Sequence, residues 1–270
     1  MTLASDLAAI RARVKDFEKF RGDAKSQLQA IATNLTNTTQ APVTIGPPGG
    51  SDNGKPRRTD AEQQWLYQVP QMKSAIDTNL VPKIKALETK LTELCDQSGW
   101  IGKMRTEATD WGSVETSIEE AAESVTAQKL RCDESWKGGA GDGYRTKAAG
   151  QYSAMLGASR AAGSMESGCT RMASAGEGFF YMVNSHVEGL STNVSTGSSA
   201  CYILPPLSVF TTELPTMYAE ASKSVDSSLT TLETSVTDGF RRVRPKSQGG
   251  TGLPDDTVDV SGDLKDWPKA

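Results

Sequence analysis

Side chains able to do covalent or metal chemistry are few in this chain of 270 residues, and their spacing does not assemble them. The one histidine, His186, could act as a general base or a metal ligand, yet no serine or cysteine in a nucleophile motif lies near it in sequence. Cys95, Cys132, Cys169 and Cys201 stand far apart without a Cys-x-x-Cys pair, a poor ligand supply for zinc. They read as buried thiols, or as one or two disulfides if the protein ends outside the cell, and sequence does not choose among the pairings. Glu115, Glu119, Glu120 and Glu123 recur at helical spacing, but the Glu-x-x-His elements of a carboxylate-bridged metal centre are missing, so they read as a solvated face. Residues 138–143, Gly-Gly-Ala-Gly-Asp-Gly, imitate a phosphate loop without the preceding strand or the following Gly-Lys-Ser/Thr. No metal, no cofactor and no catalytic residue is expected, and the chain reads as a non-enzyme.

Composition narrows the classes further. Only 37% of the chain is hydrophobic and 6% aromatic, lean for a compact enzyme and suited to long helices that each bury one stripe. A net charge of −4, with Lys and Arg scattered among Asp and Glu, gives no basic field, so nucleic acid is excluded as a partner. No apolar run reaches the length of a membrane span. The N-terminal stretch carries charge from Asp6 onward, where a cleaved signal peptide needs its apolar centre.

The elements are legible from periodicity. Leu3, Leu7, Ile10, Val14, Phe17, Ala24, Leu28, Ile31 and Leu35 form one apolar stripe broken only at Arg21, which predicts a first long helix. Residues 36–58, rich in Pro, Gly and Asn, read as a flexible loop. A second helix opens on the capping box Thr59-x-x-Glu62 and carries Trp65, Val69, Met72, Ile76, Leu80, Ile84, Leu87, Leu91 and Leu94, with a bend expected at Pro82 and Pro70 marking either a bend or the true start. Gly99, Gly102 and Gly112 interrupt the pattern before a weaker third helix with Val114, Ile118, Ala121, Val125 and Cys132. Sequence leaves open whether helices two and three continue or fold back. From Tyr144 to Leu190 a four-three spacing predicts a fourth helix, whose many glycines would let neighbouring backbones approach; it is the expected central element. Residues 200–210, broken by Pro205 and Pro206, read as a buried crossover. A fifth helix follows, with Leu214, Tyr218, Ala221, Val225, Leu229, Leu232, Val236, Phe240 and Val243, and residues 245–270 have the composition of a disordered tail.

Between the third and fourth helices lies Trp136-Lys137-Gly138, with Tyr144 opening the heptad-spaced helix after it. A second Trp-x-Gly triplet, Trp100-Ile101-Gly102, lacks that setting. On these residues the chain resembles the WXG-type (Trp-x-Gly) superfamily of type VII secretion substrates, in its longer, bundle-forming members, over about residues 110–190. The resemblance implies an antiparallel helical hairpin, a non-catalytic module, and export without a cleaved signal to the cell surface or medium. It implies self-assembly or a heterodimer with another WXG-type protein as the mode of action. Trp136, Gly138 and Tyr144 are then the residues of a secretion and recognition turn. The family's Tyr-x-x-x-Asp/Glu signal is absent: Tyr144, Tyr152, Tyr181 and Tyr218 are followed four residues on by Ala148, Leu156, Ser185 and Ser222. Export then depends on a partner carrying the signal, or only the fold is shared.

The expected architecture is all-α: an elongated, up-and-down antiparallel bundle of about five helices over residues 1–244, built around the hairpin at 110–190. The expected role is that of a secreted helical protein acting through its partner helices. Two other classes compete, a helical pore-forming protein inserting residues 200–210, and an intracellular coiled-coil scaffold.

Overall fold

A computed structural model describes residues 2–38, 59–126, 136–200 and 204–243. The protein is all-α: every regular element among the described residues is helical. These elements are α1 (Leu3–Thr38), α2 (Asp60–Ala75), a π-helical turn (Ile76–Leu80), α3 (Val81–Asp96), α4 (Gly99–Ser124), α5 (Gly139–Ala200), a second π-helical turn (Val209–Glu213) and α6 (Leu214–Val243). The count of five helices is not reproduced as such, because α2, its π turn and α3 run on without a gap and only Gln97 and Ser98 separate α3 from α4. The described helices group into two units, residues 1–98 with 177–231, and residues 99–176 with 232–270; α5 and α6 contribute to both. Of the loop read at 36–58, residues 36–38 are the last of α1, and the rest lies outside the described residues, as do Cys132, Cys201 and the tail from 245.

In the first unit α1 packs on α2 and α3 through the stripe the periodicity marks, with Ile10, Val14, Phe17, Ala24 and Leu28 buried. Each fully buried Leu or Ile of this kind contributes about 1.5–3 kcal/mol relative to exposure. The capping box at the start of α2 is formed: Thr59 N–H donates to Glu62 Oε2 (2.8 Å) and Glu62 N–H to Thr59 Oγ1 (3.2 Å). Pro70 sits inside α2 rather than at its start. Near Pro82 the backbone widens by one π turn, with Val81 N–H donating to Ile76 O. Proline has no N–H and its ring crowds the carbonyl four residues back, and the wider turn relieves both. It also keeps Ile76, Leu80 and Ile84 on one buried face, where an undistorted helix would carry steps of four around the axis. The same device precedes Pro215, with Leu214 N–H donating to Val209 O, and the two π turns pack together. Asn79 Nδ2 donates to Thr211 O (3.0 Å) across them.

Arg21, the break in the stripe of α1, lies 3.4 Å from Glu88 of α3, a carboxylate only 6% exposed. Burial pushes the Glu88 carboxyl above its ordinary range, and the Arg21 charge opposes the shift without cancelling it. Fully buried Tyr218 of α6 packs edge-on against Phe17 of α1, with ring centroids 5.4 Å apart. Its hydroxyl, Glu88 Oε1 and Arg21 Nε are buried without a hydrogen-bond partner. The C-terminal half of α5 is held by α1, where Asn184 Nδ2 donates to Asp6 Oδ1 (3.0 Å), and by α6, where His186 meets Ser228 (3.4 Å). Of the crossover read at 200–210, residues 201–203 lie outside the described residues; the chain is non-helical at Leu204–Pro206, where Pro205 is buried with its carbonyl accepting from Trp65 Nε1 (2.9 Å) and Pro206 is exposed, and it is helical again from Leu207.

The second unit pairs α4 with the N-terminal half of α5. Contacts join Ile101 to Gly176, Arg105 to Ser174 and Glu119 to Ser159, so the two segments run in opposite directions. The glycines expected to interrupt the chain before the third helix instead lie within α4, which begins at Gly99. Gly112 faces the Glu166 carboxyl at 3.3 Å from where a Cβ would stand, and Gly163 faces the Glu115 carboxyl at 2.5 Å. The two helices thus exchange a Gly-x-x-Glu unit, each glycine admitting the other helix's carboxylate. Glu119, Glu120 and Glu123 are exposed, in keeping with the solvated face read from spacing, while Glu115 is half-buried against Gly163 and Glu119 also accepts from the buried Ser159 hydroxyl (3.0 Å). The core here is Ala108, Cys169 and Met172, with Trp100, Met104, Trp111 and Val236 of α6 packed against it.

Candidate recognition turn

Three local features position Trp136. Gly138 has φ +93°, a left-handed backbone that a side chain strains, and it turns the chain into α5. Gly141 lies under the Trp136 carbonyl, whose oxygen would be 2.5 Å from a Cβ there. The helix then starts with Asp142 N–H donating to Gly138 O (3.1 Å), and Asp142 in its first turn suits the partial positive charge of a helix N-terminus. Arg145 closes the turn, with Nη2 donating to Asp142 Oδ1 (2.9 Å) and Nε to Gly141 O (3.3 Å).

On this frame Trp136 and Tyr144 stack edge to face, with ring centroids 5.7 Å apart and planes at 75°. Both rings face solvent, Trp136 55% exposed and Tyr144 39%. Trp136 is therefore not a core residue at a turn. Trp65, Trp100 and Trp111 take core roles instead, buried or packed on buried clusters. The pair displays two apolar ring faces together with an indole N–H and a phenol O–H at the turn.

The sequence-predicted turn residues Trp136, Gly138 and Tyr144 are thus brought together. Gly141 was hidden inside the glycine run, its signal being only its place five residues after the indole. The reciprocal Gly-x-x-Glu pair was also missed, although the motif repeats in sequence at 112–115 and 163–166. Residues 127–135 lie outside the described residues. Among the described residues no group of His, Cys, Asp and Glu is placed to hold a metal ion, and no helix is long and apolar enough to cross a membrane.

Cys95 and Cys169 are buried free thiols in separate units. Burial raises both thiols above their ordinary range; a nearby Glu107 charge adds to the effect at Cys169, and Arg11 works against it at Cys95. Native protein treated with a thiol reagent at pH 8 is expected to leave Cys95 and Cys169 unmodified until denaturant is added. Peptide mapping showing rapid labelling of either in native buffer would contradict this burial.

Compared with known proteins, the chain matches no family model, no curated protein and no solved structure.

Proposed function

We propose that this is a non-enzymatic, type VII secretion-associated protein of WXG-like character that acts by docking its helices against itself or a cognate WXG-type partner. The finer architecture belongs to the same proposal: α4 and α5 form an up-and-down hairpin pinched at Gly138. The observation that carries the reading is the exposed Trp136–Tyr144 pair, fixed at the start of α5 by a positive-φ glycine and by a second glycine under the Trp136 carbonyl. A tryptophan kept out of the core but locked in place is what a recognition surface needs and what simple packing does not require.

The expected consequence is export that depends on this turn. In cells with a type VII system, Trp136→Ala combined with Gly138→Ala lowers the protein recovered from the culture supernatant while the cellular level holds. Unchanged export of the double variant at wild-type cellular level refutes the role of the turn.

A further inference from the structure

In the second unit, Val236 of α6 packs against one face of the α4–α5 pair at Ala108, Cys169 and Met172. Farther along both helices that face continues as an open apolar groove of about 410 Å³, lined by Val114, Ile118, Ala121, Met155, Ala158 and two serines. Met155 and Ala158 belong to the same four-three stripe of α5 as Cys169 and Met172, so the groove is the uncovered remainder of the face α6 covers. Val114 is 41% exposed there. Seven lining residues are far fewer than the roughly 20–30 a side of a stable protein–protein interface. The groove therefore suits a short segment better than a second copy.

Helix α6 ends at Val243, and 27 residues of the chain follow. In them Leu253, Val260, Leu264 and Trp267 fall, with Thr257, on a strict four-three spacing, while Asp256, Asp259, Asp263 and Asp266 keep their own spacing beside it. Reach is no obstacle. From Val236 the end of α6 is about 10 Å away, and from Ala108 to Ile118 along α4 is about 15 Å. Ten residues from Val243 to Leu253 span up to about 33 Å, enough even if α6 points away from the groove.

We propose that the groove is covered by this chain's own C-terminal segment, Leu253–Trp267, laid along it through Val260, Leu264 and Trp267. Tethering supplies an effective concentration on the order of millimolar, so even weak intrinsic affinity gives substantial occupancy. The inference rests on the packing of the second unit and does not depend on export.

The test places p-benzoylphenylalanine at position 267 of the full chain and maps photocrosslinks by mass spectrometry. Crosslinks within one chain, to peptides holding residues 113–121 or 155–158 and independent of protein dilution, are expected. Ile118→Asp in the groove and Val260→Asp in the segment should each lower that yield about tenfold, the effect of about 1.4 kcal/mol. Circular dichroism checks that helicity is retained, and Val260→Asp, outside every described helix, decides the matter if Ile118→Asp perturbs folding. Crosslinks joining two chains would make a second copy the occupant and overturn the proposal. So would crosslinks scattered over the chain, or a yield indifferent to Val260→Asp.

Discussion

Arg21→Met is expected to destabilise the protein by about 3 kcal/mol at pH 7, the low end of the loss on removing one partner of a buried ion pair. The low end applies because the Arg21 side chain is 34% exposed and partly hydrated, whereas that of Glu88 is 8% exposed and would be left charged and alone. Methionine keeps the helix propensity of α1, so the loss isolates the charge. Its pH dependence is diagnostic. The folded-state Glu88 carboxyl titrates above its ordinary 4.5, raised by burial. Below 4.5 it is protonated in folded and unfolded chains alike, and its burial then carries no ionisation penalty. As pH rises through 4.5 and on through the raised folded value, the unfolded chain ionises first and stability is lost. Removing Arg21 takes away the main cation opposing that shift, so the defect of Arg21→Met should shrink toward acid pH. Glu88→Gln should behave in the opposite sense, gaining on the wild type as pH rises across the same window. Urea midpoints measured from pH 4 to 8 give both differences. A pH-independent gap between wild type and Arg21→Met would show that Arg21 acts through packing alone.

This pair also shows how far sequence reaches. The stripe of α1 was legible because each helix must bury one face, and a single arginine in it was visible as a break. Its partner was not, because Glu88 is one acid among many until the fold of the first unit sets α3 against α1. The capping box at Thr59 and Glu62 was readable because its two hydrogen bonds span three residues. The π turns were not, although the prolines that provoke them were: sequence marks the lost N–H, and only packing decides between a kink and a widened turn. At the turn into α5, Trp136, Gly138 and Tyr144 are local to one another and so are legible together in the sequence. What periodicity could not supply was exposure, since an indole beside glycines reads equally as a core plug or as a displayed ring.

Glycines within α5 make the same distinction measurable. Gly176→Ala should destabilise the protein, and Gly178→Ala, two residues on, should stabilise it. A Cβ at 176 would stand 2.7 Å from Ile101 Cγ1 and from Trp100 Cη2 and 2.8 Å from Ile101 Cδ1, with Ile101 only 1% exposed. Ordinary carbon contacts begin near 3.5 Å, so buried side chains must shift, and overpacking of this kind costs about 1–3 kcal/mol. Alanine returns up to about 1 kcal/mol of helix propensity, which leaves a net loss near 1 kcal/mol and more if the indole cannot move. At 178 nothing lies within 4 Å of the added carbon, and the propensity gain stands alone. The two variants should therefore differ by about 2 kcal/mol in denaturant unfolding although they add the same methyl group to the same helix. Equal gains at both positions would mean that the glycine at 176 admits no close neighbour, and the pairing of α4 with α5 at Ile101 would have to be redrawn. A larger side chain sharpens the contrast, because Gly176→Leu has no space to enter whereas Gly178→Leu extends into open solvent. Glycine thus serves two different purposes along one helix, and only the positions that face a neighbour justify its cost.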